Sequence, residues 1–256
     1  MKRSEVNNAI RYTLNTLGKN HLRLPAFAYW TMDEWRRMDS ELDNIKKIGL
    51  GWDVTDFGSG DFAHVGSVLF TVRNGCLADS FEAEPVASAP DSAAFAPALI
   101  AGTPYAEKII LQRHETEQEI PFHFHRVKTE DIINRGGGLL MLELYNSTPD
   151  GGLDKNSDIK VMMDGIVRTL PAGTIVEVEK GCSITLQPLL HHRFWAKKGA
   201  GDLIIGEISS INDDKTDNVF LEASRRFSII EEDELATVPL CGEYACLYNS
   251  QEQWYH

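Results

Sequence analysis

Pro121-Phe122-His123-Phe124-His125-Arg126-Val127-Lys128-Thr129-Glu130, followed by Arg135-Gly136-Gly137-Gly138, is the stretch whose reading decides the fold. If Phe122 to Arg126 is a strand, successive side chains alternate between its faces, so His123 and His125 point the same way. Two residues of extended chain set them about 7 Å apart, within reach of one cation. Glu130 adds a carboxylate just beyond, where the chain is expected to turn. The glycines permit a turn, and Leu139-Leu140-Met141-Leu142-Glu143-Leu144 reads as the returning strand. Without support from elsewhere, the same pattern fits two exposed imidazoles on an edge strand, because short motifs recur by chance.

The bulk properties narrow the classes. A chain of 256 residues, 43% hydrophobic and 25% charged, fits one large soluble domain. A net charge of -13 argues against nucleic acid and anionic membranes as partners, since both call for a basic face. It also disfavours a phosphorylated substrate. Cys76, Cys182, Cys241 and Cys246 form no C-x-x-C pair, and Met1 to Asn8 carries no apolar run of a secretory signal. A cytoplasmic protein with reduced thiols is therefore expected, and no stretch is apolar enough to span a bilayer.

Outward from the central stretch, Val6, Ile10, Leu14 and Leu17 mark one face of a helix over Ser4–Lys19, with Ser4 as its cap. Thr31-Met32-Asp33-Glu34 has the form of a capping box, and Trp35, Met38, Leu42 and Ile45 continue as the face of a second helix that stops at Gly49. Between the helices, Leu22 to Trp30 reads as extended. Gly51 to Phe62 reads as a glycine-rich loop whose Trp52 and Asp53 are candidate sugar contacts; a plain surface loop is the competing reading. Val65 to Asn74 is a strand with a hairpin signal at Asn74-Gly75.

From residue 107 onward, short strands alternate with Gly and Pro: 108–112, 139–145, 159–163, 174–178, 182–186 and 203–208. That spacing indicates an all-β sandwich or barrel, with a jelly roll as the favoured form. The organisation expected is an N-terminal helical and extended region over 1–77, an Ala- and Pro-rich insertion over 78–102, and a barrel over 103–256.

A second motif answers the first. Pro171-x-Gly173 is followed by Pro188-x-x-x-His192-x-Phe194. His123-x-His125, Glu130 and Gly137 resemble the first cupin motif, and the later segment is similar to the second. Pro121 to Gly138, Tyr105-Ala106-Glu107-Lys108-Ile109, Leu24 to Ala28, Gly51 to Gly58 and Gly206 to Asp214 resemble the D-lyxose isomerase family of sugar-isomerising cupins. The segments 78–102 and 113–119 are longer than that resemblance requires.

The resemblance implies a cupin jelly-roll barrel and a divalent metal, usually manganese, held by His123, His125, Glu130 and His192, with cobalt, iron or zinc as alternatives. His191 competes with His192, which better fits the family spacing. It further implies aldose–ketose isomerisation of free D-lyxose and D-xylulose, with D-mannose and D-fructose also expected, through a metal-stabilised cis-enediolate. A homodimer is expected.

Such a reaction needs a base beside the carbons and a cation or acid near the oxygens. Glu207 sits in the apolar run Leu203-Ile204-Ile205-Gly206-Glu207-Ile208, where burial should raise its pKa; it is the candidate base. Lys108 begins another apolar strand and is the candidate acid or stabiliser. The substrate-contact set is Trp52, Asp53, Lys108, Glu130 and Glu207. An Fe(II)-dependent cupin dioxygenase with the same ligands, and a non-catalytic sugar-binding cupin, are the alternative functions.

Overall fold

The apolar stripe of the first helix does what its spacing predicts. The computed structural model describes residues 1–38, 40–77, 99–211, 213, 216–222, 224 and 228–247. Helix α1 (Arg3–Lys19) buries Val6, Ile10 and Leu17. Its start lies one turn-position earlier than expected: the Lys2 amide donates to Glu5 Oε2 at 2.8 Å, while Ser4 Oγ donates to Asp233 Oδ2 at 2.6 Å.

The second helix is shorter than its stripe. The capping box forms, with the Thr31 amide donating to Glu34 Oε2 at 2.7 Å. Helix α2 (Met32–Arg37) then ends at an extended Met38, and the chain resumes as a 3-10 turn at Ser40–Leu42 and helix α3 (Asp43–Lys47). The break lets Trp35 and Leu42 close around Tyr244, whose ring stacks on Trp35 at 5.1 Å. Burial of those large side chains outweighs the modest propensity that favours one unbroken helix. Leu22 to Trp30 likewise is not fully extended, because Ala26–Ala28 forms a 3-10 turn.

The remaining framework is sheet. In chain order the strands are β1 (Gly51–Thr55), β2 (Ser67–Leu77), β3 (Leu99–Gln112), β4 (Glu119–His125), β5 (Glu130–Gly136), β6 (Leu140–Ser147) and β7 (Leu153–Asp154). There follow β8 (Ile159–Met163), β9 (Ile166–Leu170), β10 (Ile175–Val178), β11 (Ser183–Leu186), β12 (Leu190–Ala196), β13 (Leu203–Ser210) and β14 (Asn218–Phe220). One sheet runs β1-β2-β3-β13-β5-β11-β8-β9; the other runs β10-β6-β12-β4-β14, with β7 on β6. Residues such as Leu69, Ile110, Ile132 and Ile205 from the larger sheet meet Leu142 and Phe194 from the smaller in the central core. On the outer face of the larger sheet, Trp52, Phe70, Leu111 and Ile204 pack under α1.

Several expectations change here. Gly51 to Thr55 is a fully buried strand paired with β2, not a loop. Gly51 has φ +112°, and a Cβ there would collide with the Tyr244 hydroxyl, so its glycine serves tertiary packing rather than a turn. Asn74-Gly75 is no hairpin turn: β2 continues past it, and Gly75 pairs with Gly102 across an irregular register. The hairpin signal loses to the buried bond from Asn74 Nδ2 to the Ile48 carbonyl at 3.1 Å.

Glu130 does not lie in a turn but opens β5, and β9 had no counterpart among the expected strands. The residues of 1–77 contribute β1 and β2 to the same sheet as β3, while 78–98 of the expected insertion lie outside the described residues and 99–102 belong to β3.

Arg3 ties α1 to the chain's far end. Its buried guanidinium donates to Glu232 Oε1 at 2.6 Å and also pairs with Glu243. Losing one partner of a buried pair typically costs about 3 kcal/mol. Arg3→Ala should therefore lower the unfolding free energy by roughly 3 kcal/mol in a urea titration; a loss under about 0.5 kcal/mol would show that the pair is not stabilising.

Candidate metal centre

Both sheets contribute to one buried cluster. In the smaller sheet, β4 and β12 are neighbours, and their antiparallel register sets His192 opposite His123. His125 lies two residues on from His123, on the same face of β4, as the alternation requires. The Leu189 amide donates to the His125 carbonyl at 2.8 Å and fixes the entry to β12. Glu130 comes from β5 in the facing sheet.

One ligand atom from each of His123, His125, Glu130 and His192 lies within 4.8 Å of all the others, and all four residues are buried. Imidazole centroids stand 4.1 Å apart for His123 and His192, and 5.2 Å for His123 and His125.

The hydrogen bonds behind the rings define what faces inward. His123 Nδ1 donates to the Pro121 carbonyl and His192 Nδ1 to the Leu190 carbonyl, each at 2.9 Å. With Nδ1 protonated, Nε2 carries a lone pair. His192 Nε2 then lies 3.0 Å and His125 Nε2 3.4 Å from Glu130 Oε1. Among the described residues, His192 Nε2, Glu130 Oε1 and both ring nitrogens of His125 have no hydrogen-bond partner. Acceptors converging at such distances repel one another unless a positive charge lies among them. Three imidazoles and a carboxylate are also a suitable donor set for a first-row divalent ion.

Charge around the cluster is tuned. Burial, with help from the two other imidazoles, holds His123 well below its usual pKa. For His125 burial acts downward, but Glu130 and Asp217 outweigh it and the pKa rises. Burial pushes Glu130 up, yet Lys128 and His125 prevail and keep it well below the usual carboxylate range.

Beside the metal ligands lies a second set of buried charges. Glu207 on β13 and Lys108 on β3 are cross-strand partners, with Lys108 Nζ 3.2 Å from Glu207 Oε1. Lys128 bridges the two carboxylates, 2.8 Å from Glu130 Oε2 and 3.0 Å from Glu207 Oε1. The expected rise in the Glu207 pKa does not occur: burial pushes it up, but Lys108 and Lys128 outweigh burial and lower it. Sequence reasoning assigned Lys128 no role. Its position two residues before Glu130 was the available signal.

Trp52 is placed elsewhere. It faces α1, meets Phe70 edge-on and donates its indole N–H to the Ala28 carbonyl at 2.9 Å. Asp53 is buried on the opposite face of β1, in register with Leu69. Neither lines the cavity beside the cluster, whose walls include Phe57, Phe194, Phe220, Lys108, Lys128 and Glu207.

His191 points out of the barrel, with Nε2 on the Gly151 carbonyl at 3.0 Å and its ring against Phe124. His64 pairs with Asp61 at the surface. A larger cavity of about 430 Å³ lies under α1, lined by Tyr12, Phe62 and Arg113. It contains none of the clustered ligands, so chemistry rather than size locates the site.

Two curled antiparallel sheets around a buried three-histidine, one-carboxylate cluster define a cupin-like barrel with a divalent-metal site. The D-lyxose isomerase family profile matches residues 1–88 and 93–244. The chain is 40% identical over 245 residues to a D-lyxose/D-mannose isomerase of Escherichia coli O157:H7, covering 95% of this chain and 98% of that protein. It is equally similar, over the same shares of both chains, to a D-lyxose/D-mannose isomerase of Serratia proteamaculans. The chain belongs to the D-lyxose isomerase family and is a sugar isomerase.

Among solved structures, the L-ribose isomerase of Acinetobacter sp. DL28 in complex with L-ribose superposes with a TM-score of 0.53 at 15% identity, covering 90% of this chain and 98% of that one. The L-ribose isomerase of Cellulomonas parahominis with L-ribose gives 0.52 at 15% identity, with the same shares. These two show the fold.

His125 sets the pH response. Its raised pKa favours the protonated, cation-free protein at low pH; that contribution is lost as pH rises through the folded value. A cation must displace this proton, whereas Glu130 stays ionised. Affinity for Mn(II), measured by calorimetry between pH 5.5 and 8, should therefore fall as the pH is lowered. A flat profile would contradict this assignment.

Proposed function

We propose that this protein interconverts D-lyxose and D-xylulose, and also D-mannose and D-fructose, by proton transfer at C1 and C2 of the free sugar. The observation that carries this reading is the buried Glu207 carboxylate, held ionised by Lys108 and Lys128 within the cavity that His123, His125 and Glu130 also line. Family membership and the names of the two bacterial relatives supply the substrate class.

In this reading His123, His125, Glu130 and His192 hold one divalent cation, with manganese as the proposed ion. When bound, the cation supplies Lewis-acid charge beside the sugar oxygens. Glu207 is the base that takes the proton from one carbon and returns it to the next. A carboxylate is suited to this because its ionised form is maintained at neutral pH, and both lysine contacts fall on Oε1.

Lys108 brings an ammonium group to the negative charge that develops on the oxygens, and is the proposed acid or stabiliser. Glu130 both ligates and contacts substrate. Phe57, Phe194 and Phe220 wall the cavity and exclude water from the exchanging proton. The acidic balance of the whole chain suits an uncharged sugar.

Two further assignments belong to the same reading. A cytoplasmic location is proposed, which suits a chain of 256 residues with four cysteines and no C-x-x-C pair. A homodimer is proposed because β9 is a sheet edge whose Ile166 and Val167 are exposed, and an uncovered apolar edge invites pairing with a like strand. Light scattering should give a mass near twice 28.6 kDa for the wild type and a shift toward 28.6 kDa for Val167→Lys. A monomeric wild type would end the dimer assignment.

The test of the chemistry is Glu207→Gln. Removing a general base costs about 10²- to 10⁴-fold in rate. Ketose formation from D-lyxose and D-mannose with added Mn(II) should drop by about 10³-fold, with cation binding retained. Turnover within about tenfold of the wild type would remove Glu207 from the role of base.

A further inference from the structure

The four ligands come from three strands, and the turn between β4 and β5 must hold His125, Lys128 and Glu130 in one arrangement. A single residue grips that turn. The Asp217 carbonyl accepts the Arg126 amide at 3.2 Å. Asp217 Oδ1 accepts the Val127 amide at 2.8 Å, and Oδ2 accepts the Lys128 amide at 3.3 Å. Three consecutive backbone donors thus end on one residue that is 5% exposed.

The same carboxylate lies beside a ligand. Asp217 Oδ2 is 3.5 Å from His125 Nδ1, long for a hydrogen bond but within ion-pair range. His123 and His192 each give Nδ1–H to a carbonyl of their own strand, two residues away. His125 alone among these three has a carboxylate behind it. Asp217 directly precedes β14, which pairs with β4 so that Asn218 lies opposite His125 and Phe220 opposite His123. The short strand thereby fixes Asp217 against the turn.

We propose that Asp217 is a positioning residue of the cation site that acts through His125: by holding the Arg126–Lys128 turn it places that ring, and from behind the ring it keeps Nε2 as the inward ligand atom. A carboxylate behind a ligating imidazole fixes the tautomer and raises ligand basicity, and losing such a partner typically weakens cation affinity by about 10- to 100-fold. The inference rests on reading the cluster as a cation site and adds a residue that touches neither cation nor sugar.

The test is Mn(II) titration calorimetry on the full chain at pH 7.5, for wild type, Asp217→Asn, His125→Ala and the double variant. Asp217→Asn should weaken Mn(II) by about 10- to 100-fold. If Asp217 acts through His125, the double variant should bind within about threefold of His125→Ala alone, since coupled residues are not additive.

Unchanged affinity in Asp217→Asn, or losses that multiply in the double variant, would overturn the proposal. Should Asp217→Asn fail to fold by circular dichroism, Asp217→Glu retains the charge but displaces it from the Val127 and Lys128 amides. With the Val127 and Lys128 amides no longer held by the carboxylate, and the Arg126 amide still on the backbone carbonyl, that variant should bind Mn(II) at least about threefold more weakly than the wild type, and equal affinity would overturn the proposal. A wild type that binds no divalent cation would instead defeat the metal reading itself.

Discussion

Imidazole nitrogens and a carboxylate oxygen face one another inside the barrel, and the surrounding structure holds them there. Among the described residues, no donor reaches His192 Nε2, His125 Nε2 or Glu130 Oε1. Packing must supply what local interactions do not. His123, His125 and His192 stand on two adjacent strands of one sheet, and Glu130 stands on the other sheet. The apolar contacts between Ile132, Leu142, Phe194 and their neighbours press the two sheets together and thus press the ligands together.

Charge balance governs the next layer. Glu130 and Glu207 bring two negative charges, and Lys108 and Lys128 bring two positive ones, all in buried residues. Desolvating each costs several kcal/mol, so none is tolerable without its partner. Lys128 touches both carboxylates and couples the ligand set to the residues beside it. With neutral imidazoles this group is balanced, and a divalent cation then makes it positive. A positive cavity favours substrate oxygens in their ionised form, as isomerisation of a free sugar requires.

Much of this site was legible before the fold was known, and for a definite reason. His123 and His125 obey the period of two of a strand, and His192 stands where the family resemblance places a histidine after a proline turn. Lys108 and Glu207 stood out because a charge within an apolar run is costly unless it is used. Lys128 was legible only in its place two residues before Glu130. It lies among ordinary polar turn residues, and only the approach of β13 shows that its ammonium group meets Glu207. Asp217 was hidden for the same reason, being separated in sequence from the turn it grips. Trp52 and Asp53 misled because Gly51 and Gly58 read as loop punctuation, whereas Gly51 is a glycine to make room for Tyr244.

By itself the sequence determined the strand-rich class, the face of α1, and the ligand residue types with their alternation, because these depend on periodicity and on contacts between near neighbours. The tertiary structure alone decided that Glu130 faces the histidines from the opposite sheet, that the pKa of Glu207 is lowered rather than raised, and that the second helix breaks at Met38. Each of those outcomes depends on groups far apart in the chain: two lysines outweighing burial, or Tyr244 drawing Trp35 and Leu42 around it. Local pattern carries no information about such encounters, since their free energy arises only when the sheets have closed.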